Sequence, residues 1–229
     1  MKTVIITGAS GNLGQAVTKK FIAEGFKVIG TVIPNDPVVL DFPPEQFEKV
    51  VVDLMNEDDA QKFINGVISK YGSVDVAVLT VGGFAMGKIA ETKTSDIQKQ
   101  YKLNFETTYN VARPAFLQMM QQGRGRIFII GARPGLDAKF GKGMVAYSLS
   151  KSLIFRLAGM LNDESKGTNV VTSVVVPSTI DTPQNRQSMP EAKFESWVKA
   201  EQIAEVIYFY SNENASVIRE PLIKVYNNA

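Results

Sequence analysis

A short β-branched run, Val4 to Thr7, passes directly into Thr7-Gly8-Ala9-Ser10-Gly11-Asn12-Leu13-Gly14 and then into an amphipathic stretch from Leu13 to Glu24. This strand, glycine-rich turn and helix restrict the fold more than any other segment, because a buried strand that feeds a helix at once belongs in a crossover unit of a parallel sheet. The same alternation continues. Strands are expected at Lys27 to Ile33, Val50 to Val52, Val74 to Thr80, Arg126 to Ile130, Asn169 to Val176 and, as a final strand region, Ser216 to Tyr226. Helices are expected at Asp58 to Tyr71, Ser95 to Gln121, Met144 to Asn162 and Ala200 to Tyr210. The pattern predicts a doubly wound α/β fold: a mainly parallel, seven-stranded sheet with helices on both faces.

Between the second and third strands stand Pro34, Pro37, Pro43 and Pro44, which remove amide donors and predict a loop in place of a crossover helix. No polar linker or internal repeat divides the 229 residues, so residues 1–229 are read as one domain. With 25 basic against 23 acidic residues, the net charge of +2 gives no reason to expect nucleic acid or an anionic membrane as partner. The opening apolar run is interrupted at Gly8, too early for a signal peptide or membrane span, and a cytoplasmic protein is expected.

The chain has no cysteine and no histidine. Thiolate chemistry, serine–histidine triads and imidazole metal sites are thereby excluded, and tyrosine, lysine and carboxylates are left for proton transfer. The glycine turn suits a pyrophosphate: Gly8 for the tight turn, Gly11 for close approach and Gly14 for helix packing, with the helix N-terminus adding about half a positive charge. In Tyr147-Ser148-Leu149-Ser150-Lys151 a spacing of four puts Tyr147 and Lys151 on one helical face. A phenol ordinarily titrates near 10, so a neighbouring ammonium is expected to favour phenolate and make Tyr147 a usable acid/base.

These segments together resemble the short-chain dehydrogenase/reductase family along nearly the whole chain, which implies a Rossmann-like fold and an NAD or NADP cofactor. The resemblance makes Tyr147, Lys151 and Asn104 the catalytic candidates, with Tyr147 as proton donor, Lys151 as ribose anchor and pKa tuner, and Asn104 positioning the lysine. It places the cofactor against Gly8, Ser10, Asn12, Leu13 and Gly14 of the first turn and Asp53 and Leu54 after the third strand. Val81, Gly82 and Gly83 after the fourth strand, and Pro177, Thr179 and Thr182 after the sixth, complete that set. A small-molecule substrate and a homo-oligomer through the two long helices are implied as well. Phe105, Tyr109, Phe116 and Met120 recur on the first helix, and Leu149, Leu153 and Leu157 on the second.

Two features depart from the family. Ala132 stands where a serine usually holds the substrate oxygen, and Asn12 stands where many members have glycine. Loss of an oxyanion donor costs about 3 to 4 kcal/mol when a full alkoxide develops, so the expected acceptor needs less such help. The missing serine and the stretch from Ile180 to Trp197 are similar to the dihydropteridine reductase branch, which implies hydride transfer to a quinonoid dihydropterin-like acceptor, with a carbonyl acceptor as the broader expectation. The other expectation is a dinucleotide-sensing regulatory protein of the same fold without turnover. An acidic residue at the end of the second strand would select NAD, but Val32 occupies that place, and Asp36, beyond Pro34, is read as a loop residue.

Overall fold

The computed structural model describes residues 1–228. The chain opens with β1 (Thr3–Thr7), α1 (Asn12–Ala23) and β2 (Lys27–Val32), followed by β3 (Phe47–Val51), α2 (Glu57–Tyr71) and β4 (Val76–Leu79). Next come α3 (Thr94–Tyr101), a π-helical turn (Lys102–Glu106), α4 (Thr107–Gln122) and β5 (Arg124–Ile130). The remainder comprises α5 (Arg133–Leu136), α6 (Val145–Glu164), β6 (Asn169–Pro177), β7 (Ile180–Asp181), α7 (Pro183–Ser188), β8 (Val198–Lys199), α8 (Ala200–Ser211) and β9 (Leu222–Val225), with short 3₁₀ turns between some of them. Among the described residues no helix is long and apolar enough to cross a membrane.

Seven strands form one parallel sheet in the order β3-β2-β1-β4-β5-β6-β9, as the alternation predicts. Successive side chains of β1 leave opposite faces and feed two cores. Ile5 packs with Ile64 of α2, Val111 of α4 and Ile154 of α6, whereas Val4 and Ile6 pack with Phe21 of α1 and Ile203 of α8. All eight are fully buried, each contributing about 1.5–3 kcal/mol. Chain order reverses between β1 and β4, and the crevice at the carboxyl ends of these strands is where such sheets take ligands.

The proline-rich segment after β2 holds no helix, as expected. Other details differ from the sequence pattern. The strand β3 begins at Phe47 instead of Val50, because pairing with β2, Val28 opposite Phe47, extends it through the charged Glu48-Lys49. The last strand is confined to Leu222–Val225, since only these residues of the Ser216 to Tyr226 region pair with β6. The long Ser95 to Gln121 helix is present, running from Thr94 to Gln122, but a π turn interposed between α3 and α4 carries Asn104. Elements α5, α7, β7 and β8 are two to six residues long, too short for periodicity to reveal.

Candidate active site

Parallel register decides which turns meet. Thr7 ends β1 opposite Leu79 of β4, so the glycine turn and the segment Thr80-Val81-Gly82-Gly83 emerge side by side. Thr7 ties them together: its hydroxyl oxygen accepts the amide of Thr80 at 3.1 Å, and its carbonyl accepts the Thr80 hydroxyl at 2.6 Å. A Cβ on Gly14 would lie 2.1 Å from the carbonyl oxygen of Gly8, so the helix can approach the turn this closely only with glycine there. Gly11 caps α1 without a side-chain hydrogen bond, and Gly11 to Gly14 lie along the crevice.

The crevice is a groove of about 420 Å³. It brings together Gly8, Ser10, Asn12, Leu13, Gly14, Asp53, Leu54, Val81, Gly82 and Thr182 from the sequence-based set. Three of that set lie outside the lining. Gly83 turns its backbone to Asn104, Pro177 pairs with Val225 at the end of β6, and the carbonyl of Thr179 accepts the amide of Val198 at 3.0 Å. The sequence reading missed Thr31, Ile33, Val52, Met55, Leu103 and Thr107, which also line the groove with Val32 and Thr80, and it assigned Asp36 to the loop when the structure puts it on the wall. The strand residues among them were signalled by position alone, at the carboxyl ends of β2 and β3. An uncapped helix start, an apolar floor and peripheral carboxylates fit a dinucleotide with its pyrophosphate at α1.

Beyond the groove lies the Tyr147 and Lys151 pair on α6. Lys151 is buried and donates to the carbonyl of Ile130 at 2.8 Å. Tyr147 is half-buried, with the ring of Phe84 meeting it edge-on at 5.1 Å between centroids. Burial pushes the phenol up to about 12 and the Lys151 ammonium down to about 8. The expected lowering of Tyr147 by Lys151 is therefore corrected: the lysine is directed to the Ile130 carbonyl, and desolvation alone moves the phenol.

Asn104 is fully buried. The two protons of its Nδ2 are shared among three acceptors, the carbonyl of Gly83 at 3.0 Å, Gln100 Oε1 at 2.8 Å and Ser150 Oγ at 3.1 Å, while Oδ1 accepts the Gly83 amide at 2.8 Å. Ser150 in turn donates to the carbonyl of Tyr147 at 2.8 Å, which links the π turn to α6. A regular helix would turn residue 104 elsewhere, and π turns recur at sites where a side chain must be re-aimed. Ala132 is buried at the head of α5, and Arg133 beside it lies 4.1 Å from the Tyr226 ring centroid and 5.7 Å from that of Phe140.

The segment after β6 folds back over the groove. Thr182 caps α7 by accepting the Asn185 amide at 3.1 Å, and Asn12 of the glycine turn donates to Gln184 Oε1 at 2.9 Å. Trp197 is buried, with Phe194 at 4.9 Å between ring centroids, whereas Met189 is exposed.

A parallel sheet with its crevice at the reversal of strand order, a glycine turn leading into α1 and a buried lysine one helical turn from a tyrosine define a doubly wound, nucleotide-binding oxidoreductase. The profile of the short chain dehydrogenase family matches residues 2–193. The chain belongs to that family, one of NAD(P)-dependent oxidoreductases. It is 28% identical over 242 residues to an acetoacetyl-CoA reductase of Acinetobacter sp. (strain RA3849), covering 96% of this chain and 95% of that one. It is 30% identical over 189 residues to a cyclic-di-GMP-binding biofilm dispersal mediator protein of Escherichia coli (strain K12), covering 82% and 77%. Against a dihydropteridine reductase of Dictyostelium discoideum the identity is 26% over 220 residues, covering 94% and 90%. The fold is shared with the solved structure of ElxO with NADP bound, at a TM-score of 0.89 and 24% identity over 98% of this chain and 96% of that one.

Proposed function

We propose that the chain reduces a quinonoid dihydropterin-like acceptor, or more broadly a carbonyl acceptor, with Tyr147 as the proton donor. The observation that carries this reading is the placement of Tyr147 one turn of α6 from Lys151, whose Nζ lies under the groove-lining Gly82, 3.1 Å from where a Cβ on that glycine would stand. The phenol, raised by burial, is protonated at neutral pH and needs its proton drawn by the developing negative charge on the acceptor. A bound nicotinamide dinucleotide supplies the hydride. Lys151, with the other protons of its ammonium free to turn from the Ile130 carbonyl, anchors the ribose in this reading, and Asn104 positions the lysine through the Gly83 turn. Gly8, Ser10, Asn12, Leu13 and Gly14 hold the pyrophosphate side, Asp53 and Leu54 the adenosine side, and Val81, Gly82 and Gly83 the middle. Thr182 borders the nicotinamide, with Pro177 and Thr179 behind it holding the segment that carries it.

Ala132 favours the delocalised acceptor over the carbonyl. No hydroxyl stands at that position, and electrons that enter a conjugated ring leave no localised alkoxide to be stabilised. The name of the Dictyostelium relative agrees with this choice, and that of the Acinetobacter relative with the broader one.

A regulatory, nucleotide-sensing protein is the second reading, and the name of the Escherichia coli relative favours it. Retention of Tyr147, Lys151 and Asn104 speaks for turnover, since a sensor needs no proton donor. The test is oxidation of NADH and NADPH by the purified chain with quinonoid dihydropterin and with a carbonyl panel. Turnover of the dihydropterin is expected; dinucleotide binding without turnover on any acceptor would overturn the catalytic reading.

The same reading includes a homodimer. Tyr109 and Leu117 of α4 are 39% and 49% exposed, and Leu149 and Leu153 of α6 are 49% and 37% exposed, so both helices keep apolar side chains that the core does not take. Phe116 and Leu157, expected in that stripe, belong to the core instead.

A further inference from the structure

Two buried asparagines stand close together on one run of helix, Asn104 in the π turn and Asn110 in α4, and each reaches a different wall of the groove. Asn104 holds the Gly83 turn after β4. Asn110 donates from Nδ2 to the carbonyl of Leu54 at 3.0 Å, just beyond β3. It shares a helical face with Thr107, which lines the groove. The Leu54 carbonyl belongs to the wall Val52-Asp53-Leu54-Met55, and all four of these residues line the groove as well. The sheet fixes the first of them, the Val52 amide donating to the Val32 carbonyl at 3.0 Å. Beyond it the bonds are internal to the turn: Asp53 Oδ1 accepts the Met55 amide at 3.0 Å, and the Asp53 carbonyl accepts the Asn56 amide at 3.1 Å. The Leu54 side chain is anchored in the core with Ala60 and Ile64, which sets its depth, and Asn110 orients the peptide that follows it. A buried carbonyl that loses its donor must find another or carry the cost of desolvation, so removal of the Asn110 amide would turn this part of the wall.

Strand order says which half of a dinucleotide meets that wall. Lys151 sits against Ile130 at the end of β5, so the reactive end lies on the β4 and β5 side of the glycine turn and the adenosine end over β2 and β3. We propose that Asn110 is a positioning residue for the adenosine half of the dinucleotide, holding the peptide after Leu54 so that the wall beyond β3 is formed before the ligand arrives. The inference rests on the dinucleotide reading of the groove given above. A wall already in place spares the ligand the cost of ordering it, so Asn110 acts on affinity. The proton step belongs to Tyr147, on α6 and at the other end of the groove, and does not pass through Asn110. One run of helix thus braces both ends of the site, Asn104 at the Gly83 turn and Asn110 at Leu54.

The experiment is fluorescence titration with NADH and NADPH, and competition by ADP as the adenosine half alone, beside steady-state kinetics. It compares wild type with Asn110→Leu, which keeps the volume and removes the donor, and with Asn110→Ser, which keeps a shorter donor. Val111→Ala, in the adjacent core, is the control for a merely structural effect. Asn110→Leu is expected to weaken the tighter dinucleotide and ADP alike, by about five- to tenfold, while turnover at saturating dinucleotide stays within about twofold of wild type. Asn110→Ser should fall between the two, and Val111→Ala should lower stability and leave both affinities as they are. Unchanged affinities in Asn110→Leu, a loss of turnover without a loss of affinity, or an equal weakening in Val111→Ala would overturn the positioning role and leave the dinucleotide site standing. Binding of neither dinucleotide by the wild type would overturn the site and the inference together. Should Asn110→Leu not fold, Asn110→Ser decides, by weakening both ligands or by failing to.

Discussion

Asn104 grips Gly83 through both backbone groups of that one residue, accepting its amide at 2.8 Å and donating to its carbonyl at 3.0 Å. The turn after β4 is thus fixed to the π turn, and through Ser150 to the helix that carries Tyr147 and Lys151. Asn104→Ala would strand the Gly83 amide and carbonyl in a partly buried setting and leave a void at the fully buried Asn104 site. A loss of about 2–3 kcal/mol is expected in urea denaturation, with turnover falling more than dinucleotide affinity. Wild-type stability and turnover in this variant would remove Asn104 from the positioning network.

Tyr147→Phe deletes one hydroxyl and preserves the ring that meets Phe84 edge-on. Dinucleotide affinity is expected to stay near the wild-type value while turnover drops about 10²- to 10⁴-fold, the usual contribution of a general acid. Steady-state kinetics beside a binding titration separate the two, and undiminished turnover would contradict the proton-donor role.

Lys151 carries a pH signature. Its folded value of about 8 lies below the ordinary 10.5, so between those values the unfolded chain binds more protons and stability rises with pH. The penalty for burying the ammonium is fully present below about 8 and is worth ~3 kcal/mol. Lys151→Met removes it, so the stability of the variant relative to wild type should decline from pH 8 to pH 10. Above 10 the opposite slope of Tyr147, raised to about 12, enters as well. Denaturation at several pH values checks this, and a difference that does not change with pH would show that Lys151 is not charged and desolvated as described. Dinucleotide affinity should also fall in Lys151→Met.

Gly82 leaves room for the pair below it. A Cβ there would lie 2.7 Å from Asn104 Oδ1 and 3.1 Å from Lys151 Nζ. Asn104 is pinned by its hydrogen bonds and cannot yield without losing them, so Gly82→Ala should cost about 1–3 kcal/mol, in line with other overpacked sites, and depress turnover. A crystal structure of an active variant with Asn104 unmoved would refute this.

Light scattering across a dilution series tests the dimer. A stable pair burying on the order of 1,600 Å² should persist well below micromolar concentration, and Leu149→Glu with Leu153→Glu should give monomers of reduced activity. A fully active wild-type monomer at every concentration would count against the assembly.

The alternation of short Val- and Ile-rich runs with amphipathic stretches determined the parallel sheet by itself, because each buried strand needs an apolar run and each crossover needs a one-sided helix. The glycine turn was equally legible, since its residues are contiguous and its function follows from local backbone geometry. So were Tyr147 and Lys151, one helical turn apart. Their protonation was not: charge spacing along the helix suggested a lowered phenol, whereas burial, a property of the assembled protein, raised it. Asn104 was recognisable as a residue, but its grip on Gly83 depends on a π turn and on chain 21 positions away. Asp36 shows the limit most plainly. Its partner Ser10 is 26 residues distant, and only the parallel pairing of β1 with β2, together with the turn at Pro34 and Asn35, brings the carboxylate back to the glycine turn. Local pattern determines which elements form, whereas the contacts that tune a site join segments far apart in the chain, and those distances are set when the sheet assembles.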